Sequence, residues 1–178
     1  MRVPCGATLL KEVTLKDGVK RLYPHKVYCY QSIIGTLTEF VKRVGFTERC
    51  ELWRNREIRS AHQIMCDVFE GRVWRDFQTF NGSSFLAAPR NYAFMLNVDW
   101  MQPFDHTQYS IGVIYLALMN LPRSERFKRQ NIFLVGIIPG PNEPRLNINS
   151  YLSPLVDEII ILWEDGVKLR HSGSPLFP

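Results

Sequence analysis

The fold is decided by the stretch Asn91-Tyr-Ala-Phe-Met-Leu-Asn-Val-Asp99 and by the two apolar runs that follow it, at 110–119 and 131–138. In the first run apolar residues alternate, so that Val98 and Asp99 face opposite ways, which predicts a strand. The other two runs are almost entirely apolar, which is typical of strands covered on both faces. Because the links are short and contain turn formers, we expect a three-stranded antiparallel meander with the Asp99 strand at one side.

A helix is predicted to follow the third strand. Apolar residues recur at helical spacing from Leu152 to Trp163, with acidic residues on a more polar face. Ser150 or Ser153 is expected to cap the start of this helix, and Pro154 is then expected in the first turn, where its missing N–H does no harm. The order strand, strand, strand, helix predicts a mixed α/β (α+β) fold.

Two further regions are predicted before the meander. Lys16-Asp-Gly-Val19 separates two short runs of strand formers and predicts a hairpin. A stripe of apolar residues between Gln31 and Val44 predicts a helix that ends at Gly45. We therefore expect residues 1–30 to contain the hairpin, 31–90 to form a helical and basic region, and 91–178 to contain the meander and its helix.

Composition favours a globular chain with an anionic partner. Of the 178 residues 46% are hydrophobic, and the formal net charge is +5. No apolar stretch reaches the roughly 20 residues that span a bilayer, so we expect a soluble, intracellular chain without a membrane segment. The cysteines lack the spacing of a disulfide framework or a complete zinc site, and Cys29, Cys50 and Cys66 are predicted to be buried thiols.

Two basic groups are candidates for contacts with DNA. They are Arg54, Arg56 and Arg59, and Arg123, Lys128 and Arg129. Arginine and lysine neutralise phosphates, and the aromatic residues beside the first group are of a kind that stacks on bases. The second group falls in the predicted turn between the second and third strands. The alternative for both groups is a solvated surface that covers buried aromatic residues or a loop.

Several motifs follow one another along the chain. They are Leu96-Asn-Val-Asp-Trp-Met-Gln-Pro-Phe104, Tyr109-Ser-Ile-Gly-Val-Ile-Tyr115, Asn120-Leu-Pro-Arg123, Gly136-Ile-Ile-Pro-Gly-Pro-Asn-Glu-Pro144 and Asn149-Ser-Tyr-Leu-Ser-Pro-Leu-Val-Asp-Glu158. With Tyr28-Cys-Tyr-Gln-Ser32 and residues 67–77 they resemble the transposases of CACTA-type (Enhancer/Suppressor-mutator) DNA transposons, above all the copies abundant in fungi. An ordered series of motifs is a more specific signal than any one short pattern.

The resemblance implies a ribonuclease-H-like fold and cut-and-paste transposition. Transposases with that fold carry three acidic residues, the DDE/D triad. The carboxylates of the triad hold two divalent ions, Mg²⁺ or Mn²⁺, which assist the cleavage and transfer of DNA strands. Asp99 matches the first acidic position of the triad, so the resemblance makes it a catalytic residue and metal ligand. From the residues alone a second interpretation stays open, in which Asp99 caps the turn that follows its strand.

The resemblance also implies a transposase truncated at both ends. Cys5 resembles the last ligand of a cysteine-rich, zinc-ribbon-like region that often precedes this point, so we expect residues 1–30 to be a remnant of that region. The second and third acidic residues of the family lie on elements beyond this sequence, and Asp157, Glu158 and Asp165 do not match them. We therefore expect an N-terminal helical region followed by the first half of a ribonuclease-H-like domain, inactive when alone.

The expected partner is DNA at transposon ends, and the expected location is the nucleus. Self-association, or completion of the fold by another chain, is a further hypothesis. Two alternatives to a transposase fragment remain. One is a DNA-binding module without catalysis, which relies on Arg54, Arg56 and Arg59, and the other is a transposon remnant without a molecular role.

Overall fold

The computed structural model describes residue 6 and residues 8–56, 65–144 and 147–168. The strands are β1 (Leu10–Thr14), β2 (Lys20–Pro24), β3 (Cys29–Tyr30), β4 (Thr79–Phe80), β5 (Ser83–Ser84), β6 (Phe94–Met101), β7 (Ile111–Leu118) and β8 (Ile132–Ile138). The α-helices are α1 (Ile33–Val41), α2 (Phe46–Glu51), α3 (Arg72–Asp76), α4 (Arg123–Arg126) and α5 (Ile148–Glu164). Short 3-10 turns occupy Leu52–Asn55, Val68–Glu70 and Arg129–Asn131. The fold is a mixed one, as predicted.

The predicted meander is confirmed as β6, β7 and β8. All neighbouring strands pair antiparallel, with Asp99 opposite Val113 and Val113 opposite Ile137. The sheet has a fourth strand, β3, which pairs with β8 and gives the order β3-β8-β7-β6. Sequence periodicity missed β3 because a strand of two residues is too short to show an alternation. In the described chain β6 is therefore an edge strand, on the side where Asp99 was expected.

One face of the sheet carries the main core. The even-numbered residues of β7, such as Ile114 and Leu116, are buried, whereas Ile111, Val113 and Tyr115 on the other face are half-buried. Leu134 and Ile137 of β8 are 42% and 38% exposed. The apolar runs predicted strands covered on both faces; within the described residues α1 and α5 cover the core face, and the second face keeps partial solvent contact.

Helix α1 is fixed to the sheet and to α5. Phe40 packs on Phe133 of β8 with ring centroids 4.5 Å apart. At the start of α1 the hydroxyl of Ser32 accepts a hydrogen bond from the N–H of Gly35 at 3.0 Å. The Glu158 carboxylate of α5 accepts one from the N–H of Ile34 at the same distance. A carboxylate at a helix N-terminus also offsets the positive end of the helix dipole.

Helix α5 confirms the predicted helix but starts earlier than expected. It begins at Ile148 after Asn147, and no side chain caps it. Neither Ser150 nor Ser153 is the cap, and Pro154 lies inside the helix rather than in its first turn. The prediction was wrong because it placed Pro154 where proline is least costly. Burial of Ile148 and Tyr151 against the core offsets the N–H that Pro154 lacks.

A second core lies between the sheet and the segment that precedes it. It contains Trp53, Phe69, Trp74 and Leu86, and the Trp53 and Trp74 rings meet edge to face at 5.0 Å. Ala93 and Met119, beside strands β6 and β7, pack against it. Residues of the 31–90 region thus enter both the main core and the second core.

The hairpin and the cysteines give mixed outcomes. Strands β1 and β2 pair as predicted around Lys16–Val19. Cys50 is fully buried, as expected, and burial raises the pKa of its thiol to about 12. The prediction of burial was wrong for Cys29 and Cys66, which are exposed. Cys29 lies on the two-residue edge strand β3, and Cys66 lies in a loop. Both side chains remain in contact with solvent at these positions.

The buried side chain of Asn120 joins the end of β7 to the segment that leads into β6. Its amide oxygen accepts a hydrogen bond from the N–H of Ala93 at 2.8 Å. Its amide nitrogen donates to the carbonyl of Asn91 at 3.0 Å. Because the residue is 0% exposed, water does not replace these partners easily when the amide is removed.

We expect Asn120→Ala to lower the free energy of unfolding by about 2 kcal/mol, since it leaves two backbone groups without partners. Urea unfolding followed by circular dichroism measures the change. Asn55→Ala, at an exposed position, is the control and should stay within about 0.5 kcal/mol of the parent chain. Equal stability of the two variants would contradict this account of Asn120.

Candidate functional site

Asp99 stands on the solvent side of edge strand β6. Its neighbours Val98 and Trp100 pack toward the main core, so alternation along the strand turns Asp99 to the opposite face, where it is exposed. Its Oδ1 accepts a hydrogen bond from the N–H of Trp100 at 2.9 Å. The residue across the strand pair is Val113. Asp99 therefore presents a carboxylate to solvent from a backbone held by the sheet.

Trp100 fixes the position of this part of the strand. Its six-membered ring lies over Gly112 of β7, where an added Cβ would stand 2.5 Å from a ring carbon. No other residue leaves room for the indole, because every other residue carries a Cβ. The close contact of Trp100 with Gly112 holds β6 against β7 next to Asp99. The direction of the Asp99 side chain follows from this packing.

The described residues supply a single member of the implied metal site. Among them, no three His, Cys, Asp or Glu side chains lie close enough together to hold an ion. Glu158 is engaged at the start of α1, and Asp165 directly follows the last residue of α5. An exposed carboxylate is the ligand type that Mg²⁺ and Mn²⁺ prefer. Asp99 thus fits the chemistry of one ligand, and the described residues around it do not complete a two-ion site.

Arg54 is committed to contacts within the chain. Its guanidinium donates to the carbonyls of Ala87 at 2.7 Å and Ala88 at 2.5 Å, and its Nε bonds the carboxylate of Glu51. It also lies over the Trp53 ring, 4.5 Å from the centroid. These contacts tie the turn after α2 to the segment before β6. Its predicted DNA contact stays a prediction, and any phosphate would compete with these partners.

Arg56 is held in the same way, and Arg59 lies outside the described residues. The Arg56 guanidinium donates to the carbonyls of Trp53 at 2.7 Å and Phe69 at 2.8 Å. Burial lowers the pKa of Arg56, and the negative charges of Glu70 and Asp67 oppose that effect. Arg56 therefore stabilises the second core from its edge.

The second predicted group presents more of its charge to solvent. Arg123, Lys128 and Arg129 are all exposed. Arg123 donates one hydrogen bond to the carbonyl of Cys66 at 3.0 Å. The backbone beneath them is fixed, because the buried amide of Asn131 donates to the carbonyl of Glu125 at 3.0 Å. We call Arg123, Lys128 and Arg129 the basic loop.

Arg126, within the basic loop segment, has a different role that the sequence did not reveal. It is 3% exposed and pairs with Asp67 at 2.9 Å. Its guanidinium also lies 5.1 Å from the centroid of the Phe69 ring. The partners are 59 positions apart in sequence, so no local pattern predicts the pair. Because Arg126 is buried and paired, it stabilises the fold, whereas the neighbouring residues of the basic loop are exposed.

The structure places the basic loop and Asp99 at opposite ends of the sheet. The loop follows Leu118 at the end of β7, whereas Asp99 pairs with Val113. Five residues of strand separate the two levels, which corresponds to about 17 Å along the sheet. That separation corresponds to about five phosphates along one DNA strand, which carries one charge per roughly 3.4 Å of helix axis. A DNA segment that contacts both would run lengthwise along the sheet.

We expect Arg54→Ala to lower the free energy of unfolding by about 1–3 kcal/mol, because the carbonyls of Ala87 and Ala88 lose a charged donor. Arg129→Ala removes the same side chain from an exposed position and should change stability by less than about 0.5 kcal/mol. Thermal or urea unfolding of both variants tests the assignment. If the two variants have the same free energy of unfolding, the contacts of Arg54 do not stabilise the fold.

No curated protein and no solved structure matches this chain. None of the described helices combines the length and the apolar character of a membrane-spanning segment. A family model, described as transposase family tnp2, matches residues 63–175. This match spans more than half of the sequence and includes β6 with Asp99, the basic loop and α5. The chain therefore belongs to the transposase family tnp2.

Proposed function

We propose that this chain acts in cut-and-paste DNA transposition of the CACTA type, as the motifs shared with fungal transposases suggest. The observation that carries the proposal is the family match over residues 63–175. It covers the exposed carboxylate and the basic loop alike. The substrate class is DNA at transposon ends, and the reaction is cleavage and rejoining of phosphodiester bonds. For a fungal element such a substrate lies in the nucleus.

The proposed fold of the catalytic part is ribonuclease-H-like. Support comes from the order of β6, β7, β8 and α5, with a carboxylate on the first strand. The antiparallel meander and the helix that returns across one face fit the opening of that fold. The free edge of β6 is where a further strand would be added, from this chain or from another one. Self-association is one way to supply it.

Asp99 is the proposed catalytic residue and metal ligand. A Mg²⁺ or Mn²⁺ ion bound there would activate the attacking hydroxyl or stabilise the leaving oxygen of the DNA strand. The chain contributes a negative oxygen on the solvent face of a paired strand, held by the contact of Trp100 with Gly112. The residue opposite Asp99 on β7 is the uncharged Val113. No positively charged side chain at that position therefore competes with a metal ion for the carboxylate.

The basic loop is the proposed contact with the DNA backbone. Lys128 and Arg129 are exposed, and among the described residues neither forms an ion pair. Exposed lysine and arginine side chains without an ion pair displace counterions from DNA when they bind its phosphates. The net charge of +5 acts in the same direction at longer range.

A DNA-binding module without catalysis is the second candidate. The observation that favours it is the single implied carboxylate among the described residues. Because the described residues offer one implied carboxylate, we expect no cleavage by the purified chain alone. Magnesium-dependent cleavage of transposon-end DNA by that chain, abolished in Asp99→Asn, would overturn this expectation. Salt-sensitive DNA binding without metal binding at Asp99 would support the module.

We expect the double variant Lys128→Ala/Arg129→Ala to bind duplex DNA more weakly and with a smaller dependence on salt. Two lost phosphate contacts should reduce the slope of log affinity against log salt by about 2. Fluorescence anisotropy with a labelled duplex measures the slope. Lys16→Ala/Arg21→Ala on the β1–β2 hairpin removes the same charges from exposed positions and is the control. Equal losses in both double variants would mean that only net charge matters.

We expect Mn²⁺ to bind weakly at Asp99. In a nuclear magnetic resonance titration the paramagnetic ion should broaden the amide signals of Asp99 and Trp100 before those of the hairpin. Asp99→Asn removes the charged oxygen and should abolish this local broadening, whereas Asp17→Asn in the exposed hairpin turn should preserve it. Persistent broadening in Asp99→Asn would remove Asp99 from the proposed metal site.

A further inference from the structure

Three aromatic side chains form an exposed patch at the edge of the second core. Phe77 and Phe80 are each 40% exposed, and Trp163 near the end of α5 is 52% exposed. We call these three residues the aromatic patch. Large aromatic rings in a protein normally bury most of their surface. A group of three that remain half in solvent is therefore a candidate binding surface.

The rings are arranged as a platform. Phe77 and Phe80 are nearly parallel, with 6° between their planes and 6.0 Å between centroids. Trp163 meets Phe80 edge to face at 5.2 Å. Phe85, which is half-buried, also contacts Trp163, with 4.9 Å between the ring centroids. The patch thus consists of two stacked phenyl rings and an indole that packs edge to face on one of them, Phe80.

Backbone hydrogen bonds hold the segment that carries Phe77 and Phe80. Strands β4 and β5 form a tight hairpin through Asn81 and Gly82, both with positive φ. The N–H of Leu86 donates to the carbonyl of Phe77 at 3.0 Å, and Leu86 is buried in the second core. A rigid platform loses little conformational entropy when a flat ligand stacks on it.

The segment that carries Phe77 and Phe80 supplies positive charge for an anionic ligand. It has three exposed arginines, Arg72, Arg75 and Arg90, of which Arg72 pairs with Asp76 at 3.8 Å. The acidic residues Glu164 and Asp165 follow Trp163 at the end of α5, so the cations available to phosphates are Arg75 and Arg90. Aromatic faces combined with nearby arginines match a nucleic acid strand, whose bases stack while its phosphates meet cations. Duplex DNA hides its base faces, so only unpaired bases fit this surface.

We propose that the aromatic patch stacks unpaired bases of a DNA strand, as would arise where a transposon end is opened or cut. This inference rests on the proposed function, in that it assumes a DNA ligand. It assigns the patch a ligand that differs from the duplex backbone assigned to the basic loop. The two surfaces are therefore separable by the form of DNA that is offered.

The test compares a short labelled thymidine oligonucleotide with a duplex in fluorescence anisotropy. Phe80→Leu keeps an apolar side chain on the hairpin but removes the ring, and should weaken single-strand binding by roughly tenfold because one stacking contact is lost. Duplex binding should not change. Phe80→Trp restores a ring and should restore single-strand binding. Tyr23→Leu, 39% exposed on the β1–β2 hairpin, is the control and should have no effect.

The outcomes separate this inference from the proposed function. Parent chain that binds duplex but not the oligonucleotide overturns the patch and leaves the function standing, and binding of neither form overturns both. Phe80→Leu with unchanged single-strand affinity, or a loss equal to that of Tyr23→Leu, also overturns the patch. So does a dimer in sedimentation that Phe80→Leu dissociates without a change in DNA affinity, since the patch would then be a contact between two copies.

Discussion

The burial of one face of the sheet beneath α1 and α5 is the constraint on which the rest of the structure depends. Ile114, Leu116 and Phe133 fill that face and are almost completely shielded from water. Side chains alternate along a strand, so this choice of buried face also decides which residues turn outward. A shift of β6 by one residue would bury Asp99 and expose Val98. The free energy of core formation therefore fixes the orientation of the carboxylate.

Much of this arrangement follows from local pattern, and the remainder from contacts distant in sequence. The alternation in β6, the runs of β7 and β8 and the periodicity of α5 were sufficient to predict the meander and its helix. The pairs Arg126–Asp67, Asn120–Ala93 and Glu158–Ile34 join residues that are 59, 27 and 124 positions apart. Residue propensities and spacing rules do not predict contacts between residues so far apart in sequence. The start of α5 was misplaced because packing of Ile148 and Tyr151 outweighed the preference of Pro154 for a first turn.

The arginines show the same limit for the candidate site. Sequence composition treats Arg54, Arg56, Arg123, Arg126 and Arg129 as equivalent cations. The structure divides them by burial and by partner: Arg54, Arg56 and Arg126 satisfy carbonyls or a carboxylate around the second core, whereas Arg129 is left in solvent. The planar guanidinium suits both tasks, since it stacks on rings and bonds oxygen in one plane. Exposure rather than residue type therefore indicates which cations are available to DNA.

The edge position of β6 has a consequence for the behaviour of the chain in solution. Among the described residues β6 is an eight-residue edge strand without proline, and such an edge offers backbone groups to the same strand of another molecule. Asp99 is the one charged side chain of Phe94–Met101, and bringing two such strands together would bring two carboxylates into proximity. The carboxylate proposed for catalysis thereby places a charge where the pairing of β6 with the β6 of another copy would be disfavoured. Its charge is as relevant to how concentrated the protein can become as to the chemistry it is proposed to perform.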